Sequence, residues 1–136
     1  MSNKSFWIDG RICSKRESLF NLEIGALHYG SLVFEGILSV KIREASENKV
    51  VIFHLEEHIQ RLLNSANILG LNLNYSQDEI TEVIKSLIKI NGLSSYYIRP
   101  ILFSRGDYLK LFHGRKNATL AILLHQFNFK LFTLKM

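Results

Sequence analysis

Between Ile59 and Ile88 the apolar residues recur twice at helical spacing, and on either side of that block they form strand-like runs. In the first repeat Ile59, Leu62, Leu63 and Ala66 fall at i, i+3, i+4 and i+7, one face of a helix, with Gly70 as its stop. In the second, Ser76 and Glu79 form a capping-box pattern, and Ile80, Val83, Ile84, Leu87 and Ile88 make the stripe behind it. Asn91-Gly92 ends that helix. Upstream, Phe6 to Ile12 reads as two short strands around Asp9-Gly10, a strong hairpin signal. A polar connection follows from Ser14 to Glu17. Val33 to Arg43 reads as a strand, Glu44 to Asn48 as a turn, and Lys49 to His54 as the returning strand. Downstream, a strand from about Tyr96 to Phe103 carries Pro100, which places it at an edge or a bulge. Gly106 to Asn117 reads as a polar loop, and Ala118 to Leu124 as a last apolar strand. The order predicts an α+β fold: a mainly antiparallel sheet with two helices on one face.

A chain of 136 residues can bury one core, and 47% hydrophobic with 21% charged residues is ordinary for a globular domain. No apolar run approaches the roughly 20 residues that span a bilayer, and the first residues lack the apolar core of a secretory signal. The single Cys13 cannot form an internal disulfide, which agrees with a reducing compartment; a cytoplasmic location is the default. Net charge is +5, and from Arg99 onward Arg99, Arg105, Lys110, Arg115, Lys116, Lys130 and Lys135 face only Asp107. A nucleic-acid footprint would cluster such charges. Here they are scattered, so the reading is a solvated or partner-facing surface, with no nucleic-acid or membrane partner.

Three stretches carry candidate chemistry. Ala26 to Gly36 sets Tyr29, Phe34 and the carboxylate of Glu35 among two glycines, the wall of a pocket where backbone comes close. Arg61 flanks the apolar stripe of the first helix; its guanidinium is a fork suited to phosphate, but on local sequence alone the favoured reading is a surface arginine covering apolar area. Tyr97 and Arg99 lie two apart on a strand and share a face, where they can bind a carboxylate or form a solvated pair. His54 to His58 also matches the inverted zinc-protease pattern H-x-x-E-H. That pattern needs both histidines on one helix face with a third ligand, and His54 ends a strand-like run, so no metal site is expected. No glycine-rich phosphate loop or Walker motif occurs.

The blocks Ala26 to Gly36, Glu57-His58-Ile59-Gln60-Arg61-Leu62 and Tyr97-Ile98-Arg99-Pro100, in that order and spacing, resemble the N-terminal domain of branched-chain amino-acid aminotransferases. These are fold-type IV enzymes that use pyridoxal 5′-phosphate. The resemblance runs from about Trp7 to Leu124. It implies that Arg61 contacts the cofactor phosphate and that Tyr97 and Arg99 line the substrate side. It also implies that Tyr29 and Phe34 help form the apolar side-chain pocket, partly across a homodimer interface. The whole enzyme would move an amino group between leucine, isoleucine or valine and 2-oxoglutarate. Leu38 stands where these enzymes usually carry a basic residue, which bears on substrate placement.

The resemblance divides the chain into a small domain over residues 1–124 and a divergent tail over 125–136. In the family a larger domain follows and carries the catalytic lysine. The lysines here lie in turns, on polar helix faces or in the tail, so no residue of this chain is assigned as catalytic. Transamination needs such an amine, so the chain alone is expected to be inactive. Phe127, Phe129 and Phe132 would be poorly buried in so short a domain, an ending that a frameshift or degraded gene would give. The alternative is a non-catalytic interaction module that binds a partner chain through its exposed docking face.

Overall fold

A computed structural model describes residues 5–14, 22–44, 47–104 and 116–127. Eleven elements occur among them: β1 (Ser5–Ile8), β2 (Arg11–Ser14), α1 (Gly25–Tyr29), β3 (Leu32–Phe34), β4 (Ile37–Glu44), β5 (Glu47–Ile52), α2 (Leu55–Ile68), β6 (Leu71–Asn72), α3 (Gln77–Asn91), β7 (Tyr96–Ser104) and β8 (Lys116–Gln126). The sheet runs β2-β1-β8-β7-β4-β5, with β3 also on β7 and the short β6 on β8. Among the described residues only the β6–β8 pairing is parallel. The α+β expectation holds: the sheet is mainly antiparallel, and α2 and α3 share a core with one of its faces.

Local chemistry explains the elements that periodicity found. Asp9 and Gly10 both take positive φ (42° and 87°), the type I′ geometry that suits a two-residue hairpin loop. The Asp9 amide donates to the Leu120 carbonyl, and the Leu120 amide donates to the Asp9 carboxylate, each at 3.0 Å, so the turn is pinned to β8. In α3 the Ser76 hydroxyl accepts from the Glu79 amide while the Glu79 carboxylate accepts from the Ser76 amide, a complete capping box. Helix α2 stops at Ile68, before Gly70 at φ 72°.

Ile59, Leu62 and Ala66 of α2 and Ile80, Ile84, Leu87 and Ile88 of α3 pack with Trp7, Ile37, Tyr96, Ile98, Leu102, Leu120, Ile122 and Leu124. Because strand side chains alternate, Ile101 and Phe103 point the other way. They join a second, smaller cluster with Ala26 and Ala121, partly covered by Ile24 and Leu32. Among the described residues the sheet is therefore covered by two helices on one face and by the single turn of α1 and its flanks on the other.

Four expectations need correction or extension. Pro100 is at neither an edge nor a bulge: β7 lies between β8 and the β3/β4 line, and the registers on both sides carry no extra residue. The predicted strand over Val33 to Arg43 is two strands, broken at Glu35-Gly36. Helix α1 and strand β6 were not legible as elements, since neither is long enough for periodicity to show. Strand β8 runs past Leu124, the predicted end of the last strand, with His125 opposite Tyr97 and Gln126 opposite Tyr96. The connection at 15–17, the turn at 45–46, most of the 106–117 loop, and Phe129 and Phe132 lie outside the described residues.

Ile84 is fully buried between the helices and the sheet. Ile84→Ala should therefore cost about 2–5 kcal/mol in urea unfolding, whereas Leu93→Ala, at a position 43% exposed, should cost under about 1 kcal/mol.

Candidate functional site

Register places Glu35 opposite Pro100. Strand β3 pairs Phe34 with Ile101 and β4 pairs Ile37 with Ile98, so both lie in one register along β7. The Glu35 amide donates to the Pro100 carbonyl at 3.1 Å, but proline has no N–H to return. The ladder lapses there, and the Glu35-Gly36 bridge carries two sets of side chains to opposite faces. Phe34 points to the sparsely covered face and Glu35 to the helix face.

On the sparsely covered face the Arg99 Nη2 donates to the Tyr97 hydroxyl at 2.7 Å. Its guanidinium carbon lies 4.2 Å from the Phe34 ring centroid and 5.1 Å from that of Tyr97, distances at which ring faces attract a cation. Gly36 makes room for this arrangement. A Cβ there would stand 2.8 Å from Tyr97 Cζ and closer still to its hydroxyl. Leu38 is the cross-strand neighbour of Tyr97, so it borders the same surface. Three of the predicted residues, Phe34, Tyr97 and Arg99, thus come together. Tyr29 belongs to a separate element, the end of α1, where Gly30 caps the turn at φ 64° and the ring tilts against His28 at 6.3 Å.

Arg61 stands on the helix face. Its Nε and Nη2 donate to the Glu35 carboxylate at 2.6 and 2.7 Å, and His58 Nδ1 lies 2.8 Å from the same group. Glu35 is only 6% exposed, while the Arg61 side chain is 68% exposed. The Arg61 hydrogen bonds hold the Glu35 carboxyl below its ordinary range against the opposing effect of burial, with His58 adding to the lowering. Reciprocally, Glu35 raises the Arg61 pKa. An open hollow of about 360 Å³ lies outside this group, lined by His54, Glu57, His58 and Arg61. Sequence alone put Glu35 in a pocket wall and His58 in the H-x-x-E-H pattern, and gave neither a partner. A carboxylate inside an apolar strand was the available signal, but its partners lie 23 and 26 residues away.

The two histidines of the H-x-x-E-H stretch turn to different partners. His54 precedes α2 with φ 50°, its Nδ1 is 3.7 Å from Glu57, and His58 is turned to Glu35. Among the described residues no three His, Cys, Asp or Glu side chains converge on a metal position.

Two outcomes follow from this geometry. Because the folded pKa of Glu35 is depressed, its stabilising contribution is full above the ordinary value of 4.5 and is lost as pH falls through the folded value. Glu35→Gln should therefore lower stability at neutral pH and flatten the acid limb below about pH 4.5, leaving the part due to Glu79, which the Ser76 amide also holds low. Gly36→Ala should cost about 1–3 kcal/mol by driving the Tyr97 ring aside, and Tyr97→Ala in the same chain should recover much of that loss.

A profile of amino-transferase class IV matches residues 32–135. A branched-chain-amino-acid aminotransferase of Pseudomonas aeruginosa is 36% identical over 97 residues, covering 71% of this chain and 30% of the relative. Among solved structures, the branched-chain aminotransferase of the archaeon Thermoproteus uzoniensis, solved with norvaline, superposes with a TM-score of 0.82 at 30% identity, covering 91% of this chain and 41% of that one. The enzyme of Thermobaculum terrenum in its PLP-bound form gives 0.78 at 25% identity, covering 93% and 41%. The chain thus spans about a third of the length of the curated relative and two fifths of the solved ones. With the motif blocks and the fold agreeing over most of its own length, the chain belongs to the class IV aminotransferases.

Proposed function

We propose that this chain supplies the small domain of a branched-chain aminotransferase, which moves an amino group between leucine, isoleucine or valine and 2-oxoglutarate. The observation that carries this reading is Arg99, held between Phe34 and Tyr97 on the face that α2 and α3 leave uncovered. A guanidinium fixed by two rings and a hydroxyl presents its remaining donors to a substrate carboxylate in one orientation. Phe34, half exposed, offers apolar surface to a branched side chain, and Tyr29, exposed on α1 apart from this group, would contribute across the interface of a homodimer whose pocket is shared. Leu38, in place of a basic residue, makes the rim beside Tyr97 apolar.

The chain also fits one end of the cofactor. Arg61 has five N–H donors, of which Glu35 takes two, so the Nη1/Nη2 edge remains for a phosphate at the rim of the hollow. When bound, pyridoxal 5′-phosphate supplies the electron-withdrawing ring that transamination requires. The residues here bind and orient; the lysine that would hold the cofactor belongs to a larger domain, and these 136 residues by themselves do not turn substrate over. A second reading rests on Phe34, Leu38, Ile42 and Val51, large apolar side chains left exposed by the sheet: a non-catalytic module that docks a partner chain there.

Purified chain with leucine, 2-oxoglutarate and cofactor should form no glutamate. A chimera in which residues 5–127 replace the matching segment of a branched-chain relative should form it, and Arg99→Ala should lower kcat/KM for leucine by about tenfold or more. A cofactor-loaded chimera indifferent to Arg99→Ala would overturn the substrate reading. A defined stoichiometric complex with a partner chain, without turnover, would favour the second.

A further inference from the structure

The Glu35-Gly36 bridge does two jobs at once, and one has no assigned residue. On one side Gly36 accommodates Tyr97 and Phe34 stacks on Arg99. On the other, Glu35 holds Arg61. We propose that Glu35 is a positioning residue: its carboxylate fixes the Arg61 guanidinium edge-on, so that the Nη1/Nη2 edge faces the hollow as a ready-made phosphate fork. This rests on the reading of Arg61 as the phosphate ligand.

Three observations carry it. Arg61 arises from an exposed position on α2, and a long side chain there loses several rotors on being ordered. Something must hold it in one pose, and Glu35 does so with two short parallel hydrogen bonds that use the Nε/Nη2 edge. Second, Glu35 itself cannot swing. It is buried, its backbone is tied to Pro100, and His58 braces its carboxylate from the same helix one turn away from Arg61. Third, the charge is arranged for an anion. Glu35 is buried behind the guanidinium and Arg61 faces outward, with Glu57 as the one carboxylate on the rim among the described residues. The result is a guanidinium whose orientation is set before a phosphate arrives, so less ordering cost falls on binding.

The same bridge fixes the two arginines relative to one another. Phe34 and Glu35 are adjacent residues on a strand, one touching Arg99 and the other Arg61. The phosphate end and the carboxylate end of a site would therefore share a single rigid dipeptide.

The test uses the whole chain, 15N-labelled, with the Arg61 Nε–H signal as reporter. Pyridoxal 5′-phosphate should shift that signal and pyridoxal should not. Glu35→Gln, which keeps the volume, should raise the Kd for pyridoxal 5′-phosphate about tenfold, bring the Arg61 Nε–H into fast exchange, and leave the Kd for pyridoxal unchanged. Glu35→Gln with unchanged phosphate affinity, while Arg61→Ala abolishes the discrimination, would overturn the proposal and leave the Arg61 reading standing. Arg61→Ala with the discrimination intact would overturn both. A purely structural Glu35 would lower Tm and weaken both ligands alike, which would also overturn it.

Discussion

Pro100 has no N–H to donate, and it sits in the middle of the strand on which the sheet is centred. Strand β7 pairs with β8 along its whole length on one side. On the other side the missing donor leaves a gap in the ladder, and the chain crosses it as Glu35-Gly36 between β3 and β4. A continuous ladder would have locked those two residues into ordinary strand geometry. The lapse gives Gly36 its place under the Tyr97 ring and Glu35 its place at the foot of α2. Everything assigned to the site, apart from Tyr29, touches that gap or the residues beside it.

The two faces of the sheet have unequal cover, and that asymmetry separates stability from chemistry. The face under α2 and α3 holds nearly all the large buried side chains, closed at its margin by Trp7 edge-on to Tyr75 at 5.2 Å. Buried Ser39 is satisfied within it, exchanging hydrogen bonds with the Tyr96 backbone. The other face holds a small cluster around Phe103 and leaves Phe34 and Leu38 exposed. A domain that met only water would have little reason to keep such a face. Under the function proposed above, this is the face on which further protein would complete the site.

Arg61 shows how a local reading and a tertiary one differ. On its helix it is an exposed arginine beside an apolar stripe, and nothing in its neighbours requires more. Its orientation comes from Glu35, 26 residues earlier, and the pair is linked through the helix–strand packing that brings α2 against β3. The ion pair is half exposed, so its importance lies in geometry more than in stability.

Sequence alone determined the parts of the fold whose causes are local. The helical stripes, the Ser76 capping box, the Asp9-Gly10 turn and the two-residue spacing of Tyr97 and Arg99 are each written in a few adjacent residues, and each is realised. The motif blocks placed the chain in its family for the same reason. Tertiary structure alone decided where Pro100 lies in the sheet, because a strand's neighbours are set by distant segments. It also decided what Glu35 and His58 hold, because a hydrogen bond across more than twenty residues has no periodicity to betray it. And it split Arg61 from Phe34, Tyr97 and Arg99, since adjacent residues of a strand point to opposite faces and only the packed helices say which face is which.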